Sequence, residues 1–370
     1  MRMKFDKIKP YNQLPTLPPK TEIETQPVLK RCIKASRALA ELKQAGGLIP
    51  NQSVLINTIP LIEAQLSSEI ENIVTTSDSL FRLASGANIE SDPATKETLR
   101  YQTALLEGSL SMKKRPVSTA TAVRICRTIR NVDINIRTTP GTAVVNPATR
   151  KTIYTPPEGE TLIREKMANW ERFINNETDI DPLVRMAVMH YQFEAIHPFT
   201  DGNGRTGRII CILYLIQEGL LEIPVLYLSR YIINHKNQYY KYIRQVTEDD
   251  AWEQWILFML QGIEETASWT LYKIRAVREL VDYTCSYVRE KLPKIYSREL
   301  VELTFVQPYC RITNVVDAGI VKRQSASAYL KALADIGVLE EIKAGREKLF
   351  VHPKFLQLLT GDSNDFTLYT

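Results

Sequence analysis

The sequence predicts a mainly α-helical protein. Apolar residues recur at helical spacing along most of its 370 residues, helix start and stop signals flank those runs, and only two stretches read as β-structure.

Residues 1–26 read as extended, because Pro10, Pro15, Pro18 and Pro19 oppose regular structure. A helix is predicted from Pro27 to Gln44, stopped by Gly46-Gly47. A second runs from Ser53 to about Thr76, interrupted early by Pro60. Asp92-Pro93 starts a third that reaches about Lys114, and Ser118 is the N-cap of a fourth. Thr138–Tyr154 breaks the pattern and reads as a short hairpin, with Pro140-Gly141 and Asn146-Pro147 as turn signals. Helices resume over Gly159–Asn175 and from the cap pair Asp181-Pro182, the latter ending at His197-Pro198. Gly204 or Arg205 starts a helix that is apolar through Ile216, and further helices cover about Asn234–Val246 and Trp252–Val288.

The last unit has another rhythm. Short helices around Arg298–Phe305 and Ile312–Asp317 precede a helix capped at Ser325 and ending by Gly337. Val338–Val351 then reads as two strands around Ala344-Gly345, and the final ten residues read as frayed. Three helices and a hairpin is the order of a winged helix.

Composition sets limits on function. The chain is 44% hydrophobic and 24% charged, ordinary for a globular protein, and its longest apolar run, Ile209–Ile216, is too short to span a bilayer. With no signal-peptide core at the N-terminus, a cytoplasmic location is the expectation. Cys32, Cys126, Cys211, Cys285 and Cys310 lie far apart with no CxxC spacing, which argues against a zinc site or a disulfide framework; Cys211 reads as a small buried hydrophobe. Residues 271–360 hold fifteen Lys or Arg against ten Asp or Glu, matching the whole net charge of +5, and so weak a bias does not by itself identify a nucleic-acid binder.

The chemistry concentrates in residues 197–208. Gly202 and Gly204 flank Asn203 just before a helix start, where bare backbone N–H groups and the helix dipole favour an anion. Arg205 and Arg208 add forked, permanent cations suited to phosphate oxygens. Asp201 is a hard oxygen ligand suited to Mg²⁺, and His197 is the one side chain of the loop able to take a proton near neutral pH. Together they point to phosphoryl or nucleotidyl transfer. Gly202–Gly207 also satisfies GxGxxG, but a helix and His-Pro precede it where the dinucleotide fingerprint needs a buried strand; no Gly-Lys-Ser/Thr of a P-loop occurs.

The run His197-Pro198-Phe199-Thr200-Asp201-Gly202-Asn203-Gly204-Arg205-Thr206-Gly207-Arg208 resembles the signature of the Fic (Fido) family, HPFx(D/E)GNGRxxR, with every fixed position filled. The resemblance implies a helical catalytic core, here 108–265, following an N-terminal region over 1–107 and preceding a connecting helix (266–289) and the winged-helix-like domain (290–360). It implies ATP as substrate, with Mg²⁺, and AMP transfer to a Ser, Thr or Tyr hydroxyl of a protein target, the chain itself included. His197 would be the general base and Asp201 the metal carboxylate. The Gly202–Gly204 backbone and Asn203, with Arg205, would hold the α- and β-phosphates, and Arg208 the γ-phosphate; Thr206 and Gly207 complete the loop. The hairpin fits the family's flap, with Lys151, Thr152, Ile153 and Tyr154 facing nucleotide and target. Tyr231, Tyr239 and Tyr240 are candidate adenine or ribose contacts.

Upstream, Ser67 and Glu71 stand four apart on one helix face, within a helix taken as about 61–76. With Asn72 they resemble the family's inhibitory motif, Ser/Thr-xxx-Glu-Gly/Asn. The resemblance implies that Glu71 pairs with Arg208 in the place of the γ-phosphate. Two other readings stand beside this one. Lys322, Arg323 and Gln324, with Ser325 and Ser327, open a helix that could read DNA, which would make the chain a DNA-binding regulator with a sensory or inactive core. Fic-like sites also transfer other phosphate-containing groups or remove AMP, and the motif does not choose among these. A homodimer is the further expectation from the family; no membrane partner is expected.

Overall fold

The computed structural model describes residues 5–47, 51–86, 91–112, 114–145, 149–344 and 347–369. Its element order is α1 (Gln26–Gly46), α2 (Ser53–Ile70), α3 (Ser77–Ala84), α4 (Pro93–Met112), α5 (Thr119–Arg130), β1 (Val144–Val145), β2 (Thr152–Tyr154), α6 (Glu160–Asn176), α7 (Pro182–Ile196), α8 (Asn203–Gln217), α9 (Leu228–Asn234), α10 (Lys236–Asp249) and α11 (Trp252–Lys291). There follow α12 (Arg298–Val306), β3 (Tyr309–Arg311), α13 (Ile312–Asp317), α14 (Arg323–Asp335), β4 (Glu340–Ala344), β5 (Glu347–Val351) and α15 (Pro353–Thr360). The protein is mainly α with a small amount of antiparallel sheet, as expected.

The start signals act as read. Asp92 Oδ1 accepts from Thr95 N at 2.9 Å, Ser118 Oγ from Thr121 N at 3.3 Å, and Asp181 Oδ1 from Leu183 N at 2.8 Å, each satisfying one orphan donor of a first helical turn. Nearly every residue of α7 and of α8 is buried, so these two helices form the centre. Helices α6 and α11 flank α7, and the Trp170 and Trp255 indoles donate to Met189 O and Ala187 O at 2.9 and 2.8 Å. Helix α1 lies along α11, and α4 and α5 pack on α8. Helices α4 and α11 run unbroken through the divisions read at 107/108 and 265/266. No helix among the described residues is long and apolar enough to cross a membrane.

Several local readings are corrected. The segment 53–76 is not one helix: Asn72 adopts φ 63°, a left-handed residue that ends α2, and α3 begins afresh at Ser77 under a Thr76 cap. Pro60 does not interrupt α2, which continues through it. The short helix α9 and the strand β3 escape the periodicity reading, being seven and three residues long. Helix α14 starts at Arg323 after Lys322, so Ser325 lies inside its first turn and caps nothing. The final residues are not frayed: Tyr369 stacks on Tyr287 at 4.8 Å and on Tyr283 at 5.4 Å, both on α11, and its hydroxyl lies 3.0 Å from Thr284 Oγ1. The turn signals Asn146-Pro147 and Gly345 lie outside the described residues.

The hairpin is present but small, with Val144 opposite Tyr154 and Val145 opposite Thr152. In the C-terminal unit the three strands are antiparallel in the order β3-β5-β4.

Candidate active site

The turn between α7 and α8 brings the carbonyl end of one central helix to the amide end of the other. His197 ends α7 with φ 51° and ψ 59°, and Gly202 opens α8 with φ 84°, so two left-handed residues bracket the turn. Asn203 ties it shut: its Oδ1 accepts from Phe199 N at 2.9 Å and its Nδ2 donates to Phe199 O at 2.8 Å. Arg137 braces the other side, donating to His197 O at 2.8 Å through Nε and to Ile196 O and Pro157 O through Nη2. A cation on the last carbonyls of α7 complements the helix dipole. Position 137 was not singled out in the sequence, since its partners lie twenty to sixty residues away.

His197 Nδ1 stands 3.4 Å from Glu194 O, which leaves Nε2 as the nitrogen for another partner. Burial pulls the imidazole down to about 4, so it is neutral and able to accept a proton at pH 7. The adjacent Glu194 carboxyl, unnoticed in the sequence, is pushed up to about 8 by burial, against the pull of Arg208.

Helix α2 ends directly over the first turn of α8. Arg208 Nε donates to Ser67 Oγ at 2.8 Å, and its Nη2 donates to Ser67 O at 2.9 Å and Glu71 Oε1 at 2.8 Å. The Arg208 side chain is 1% exposed and Glu71 35%. Two orphan carbonyls of α2 therefore have cationic donors: Ser67 O has Arg208, and Ile70 O has Lys236 Nζ at 2.6 Å. Asn72 can sit at the next position because Asn tolerates the left-handed conformation there. Burial pushes the Glu71 carboxyl up, but Arg208, then Arg205 and Lys236, outweigh it and hold it below the usual range. A Cβ at Gly204 would collide with the Glu71 carboxylate as it is seated here. The residues read as inhibitory are thus joined to the arginine they were expected to engage.

A second charge network lies on the opposite side of the loop. Glu97 Oε1 on α4 accepts from Arg205 Nη1 and from Arg130 Nη1, both at 2.6 Å, and Arg130 Nη2 pairs with Asp201 Oδ2 at 3.0 Å. Glu97 and Arg130 were not read as site residues: Glu97 lies 108 positions from Arg205 and Arg130 lies 71 from Asp201, with no local pattern. Asp201 is 58% exposed, and its Oδ1 accepts from Gly202 N at 2.6 Å. A half-open carboxylate beside a helix start fits Mg²⁺, which binds through one or two carboxylates and takes its remaining oxygens from phosphate and water.

The other predicted positions are placed as follows. Thr206 is fully buried, and Gly207 packs against Glu194, Phe193 and His190 with no room for a side chain. Tyr239 is buried with its hydroxyl 2.8 Å from His190 Nε2, while Tyr231 packs on Phe258 and Gly262; both are core residues, and Tyr240 is the partly exposed one. In the flap, Lys151 is exposed and Thr152, Ile153 and Tyr154 half-buried, with Tyr154 OH donating to Ala195 O at 2.8 Å. The flap is therefore fastened to α7 two residues before His197. Lys322, Arg323 and Gln324 are exposed at the start of α14, with Ser325 and Ser327 half-buried.

Comparison with known proteins agrees with this geometry. Residues 29–109 match the family model described as Fic/DOC family N-terminal, 120–215 match Fic/DOC family, and 280–355 match the C-terminal domain of SoFic-like protein adenylyltransferases. The chain is 31% identical over 137 residues to the protein adenylyltransferase Fic of Nematostella vectensis, covering 35% of this chain and 30% of that protein. It is 38% identical over 68 residues to protein adenylyltransferase fic-1 of Caenorhabditis elegans, covering 18% of this chain and 13% of that one. The matches thus span less than a third of those relatives' length. In fold, a Fic family protein from Desulfovibrio desulfuricans G20 superposes with a TM-score of 0.52 at 19% identity, covering 90% of this chain and 98% of that one. A fragment of Fic-1 from C. elegans superposes at 0.51 and 20% identity, covering 68% and 74%. With its signature loop built as described and three family domains matched in succession along it, this chain belongs to the Fic/DOC family.

Proposed function

We propose that the chain transfers AMP from ATP to a Ser, Thr or Tyr hydroxyl of a protein, and that Glu71 restrains it. The observation that carries this reading is the Glu71–Arg208 pair at 2.8 Å over Gly204, beside a neutral His197. A carboxylate there mimics an anion that the helix start and Arg208 are built to hold. The names of the relatives, protein adenylyltransferases, support the same reaction.

In this mechanism the triphosphate lies against the N-terminus of α8, where the first backbone N–H groups have no partner inside the helix. Arg208 takes the terminal phosphate once Glu71 has left it. His197 Nε2 removes the proton of the target hydroxyl, whose oxygen bonds to the α-phosphorus while the bond to the bridging oxygen breaks and pyrophosphate departs. Asp201 would hold a Mg²⁺ ion, which neutralises phosphate charge when bound. Arg137 and Asn203 keep the histidine and the helix start in fixed relation, and rate enhancement comes mainly from this positioning and charge complementarity. The flap, tied to α7 by Tyr154, supplies an edge for the target segment.

The order helix, strand, helix, helix, hairpin supports a winged-helix reading of the C-terminal unit. A regulator with an inactive core is not favoured, because His197, Asn203 and Arg208 are all present and engaged. The test is mass spectrometry of purified protein after incubation with ATP and Mg²⁺: Glu71→Gly should carry an AMP adduct that Glu71→Gly/His197→Ala lacks. An adduct equal in both would refute the assignment of the base.

A further inference from the structure

The segment that follows the inhibitory turn is held by the C-terminal unit. Gln65, on α2 two residues before Ser67, donates from Nε2 to Thr75 O at 2.9 Å and accepts from Ser77 Oγ at 2.8 Å. The start of α3 is therefore tied to the inhibitory helix. On α3, Asp78 accepts the hydroxyl of Tyr309, the first residue of β3. Arg82 pairs with Asp78 at 2.9 Å and lies 5.6 Å over the Tyr309 ring. At the end of the helix Gln307 Nε2 reaches Ala84 O at 3.4 Å, and just past it Arg311 Nη1 donates to Gly86 O at 2.9 Å.

The unit that grips α3 is itself fixed. Tyr309 is buried and paired with Val351 in the sheet. Lys273 of α11 donates to Leu358 O, Gly361 O and Ser363 O at 2.7, 2.9 and 3.0 Å, so the C-terminal unit is fastened to the long helix that packs on α7. A chain of contacts runs from α11 through the sheet to α3, through Gln65 to α2, and on to Arg208.

We infer that Asp78, Arg82 and Tyr309 are positioning residues of the brake, through which the C-terminal unit keeps Glu71 seated on Arg208. The inference rests on reading Glu71 as inhibitory. With the clamp intact, departure of Glu71 must bend or shift α2 against a fixed α3. With it open, α2 and α3 can move together, and ATP competes for Arg208 with less resistance. Whatever partner engages the C-terminal unit then has a physical path to Arg208, about a hundred residues earlier in the chain.

Two measurements test this. Tyr309→Phe removes the donor to Asp78 and keeps the ring for Arg82 and the core; Asp78→Asn weakens the pair from the other side. Each should raise AMP incorporation roughly five-fold, the effect of one lost hydrogen bond, while neither should add to the rate of Glu71→Gly. Hydrogen exchange of the amides of residues 69–73 should quicken in both variants, with α7 unchanged, and this readout does not depend on the reaction. Unchanged exchange at 69–73 in both variants, or an equal gain in the Glu71→Gly background, would overturn the inference. If Glu71→Gly itself transfers no AMP, the functional reading fails while the exchange result still decides the clamp.

Discussion

The Glu71 carboxylate and the Arg208 guanidinium meet at 2.8 Å with the arginine 1% exposed, so the pair covers the first turn of α8 from the side of α2. Burial works against both charges, and each partner offsets it for the other, Glu71 held below its ordinary range and Arg208 above it.

Removing one partner of such a pair leaves a buried cation without its anion. Glu71→Gly should therefore lower stability while raising activity, by about 1 kcal/mol since Glu71 is itself part-exposed and Ser67 still holds Arg208. ATP should restore more thermal stability to the variant than to the parent, because its phosphate replaces the lost carboxylate. Thermal melts with and without ATP check both statements.

In the proposed reaction the protonation of His197 sets the acid limb. A base with its pKa near 4 stays neutral as pH falls from 8 to well below the ordinary histidine value of 6.5. The rate of Glu71→Gly should be level down to ~5 and fall only as pH approaches the lowered value. A fall centred on the ordinary histidine value would show that the imidazole is more open to water than its burial indicates.

Glu63 lies on α2, four residues before Ser67 and fully buried, accepting from Ser229 N at 3.0 Å, from Ser229 Oγ, and from Tyr101 OH at 3.3 Å. Burial pushes this carboxyl up from 4.5 to about 7. Between those values the folded protein binds more protons than the unfolded chain, so this group's contribution to stability falls as pH rises from 4.5 and levels off above about 7. Glu63→Gln should lose less stability than the parent between pH ~5 and ~8, read from denaturant midpoints. Parallel losses in the two proteins would remove Glu63 as the source.

Asn203 holds both backbone groups of Phe199. Asn203→Ala leaves a buried N–H and C=O unpaired, which should cost about 2 kcal/mol and also abolish transfer, since the helix start then loses its fixed shape. Asn203→Asp keeps the acceptor for Phe199 N and should retain more stability than alanine. It should nevertheless be inactive, because it adds an anion where the proposed mechanism places phosphate. Thermal melts and AMP incorporation on both variants separate the two effects.

What was legible in the sequence was local. His197 to Arg208 is one unbroken run, the caps at Asp92, Ser118 and Asp181 each act within three residues, and Ser67 and Glu71 are neighbours on one turn. What was not legible depends on chain segments that meet only after folding. Glu97, Arg130 and Arg137 carry no distinguishing pattern, and they become site residues because α4, α5 and the segment after α5 pack around the α7–α8 turn. The tyrosines show the converse: Tyr231 and Tyr239 attract notice by type, yet tertiary packing places them in the core. The ordered C-terminus was missed because its anchor, the face of Tyr283 and Tyr287, lies about eighty residues upstream.

The central claim is that Glu71 and a nucleotide phosphate compete for Arg208 in an AMP-transferring site. Its most direct test is the AMP content, by intact-protein mass spectrometry, of the parent, Glu71→Gly and Glu71→Gly/His197→Ala proteins after incubation with ATP and Mg²⁺. The account predicts little adduct on the parent, a large gain on Glu71→Gly, and none on the double variant. Equal adduct on the parent and Glu71→Gly would contradict it.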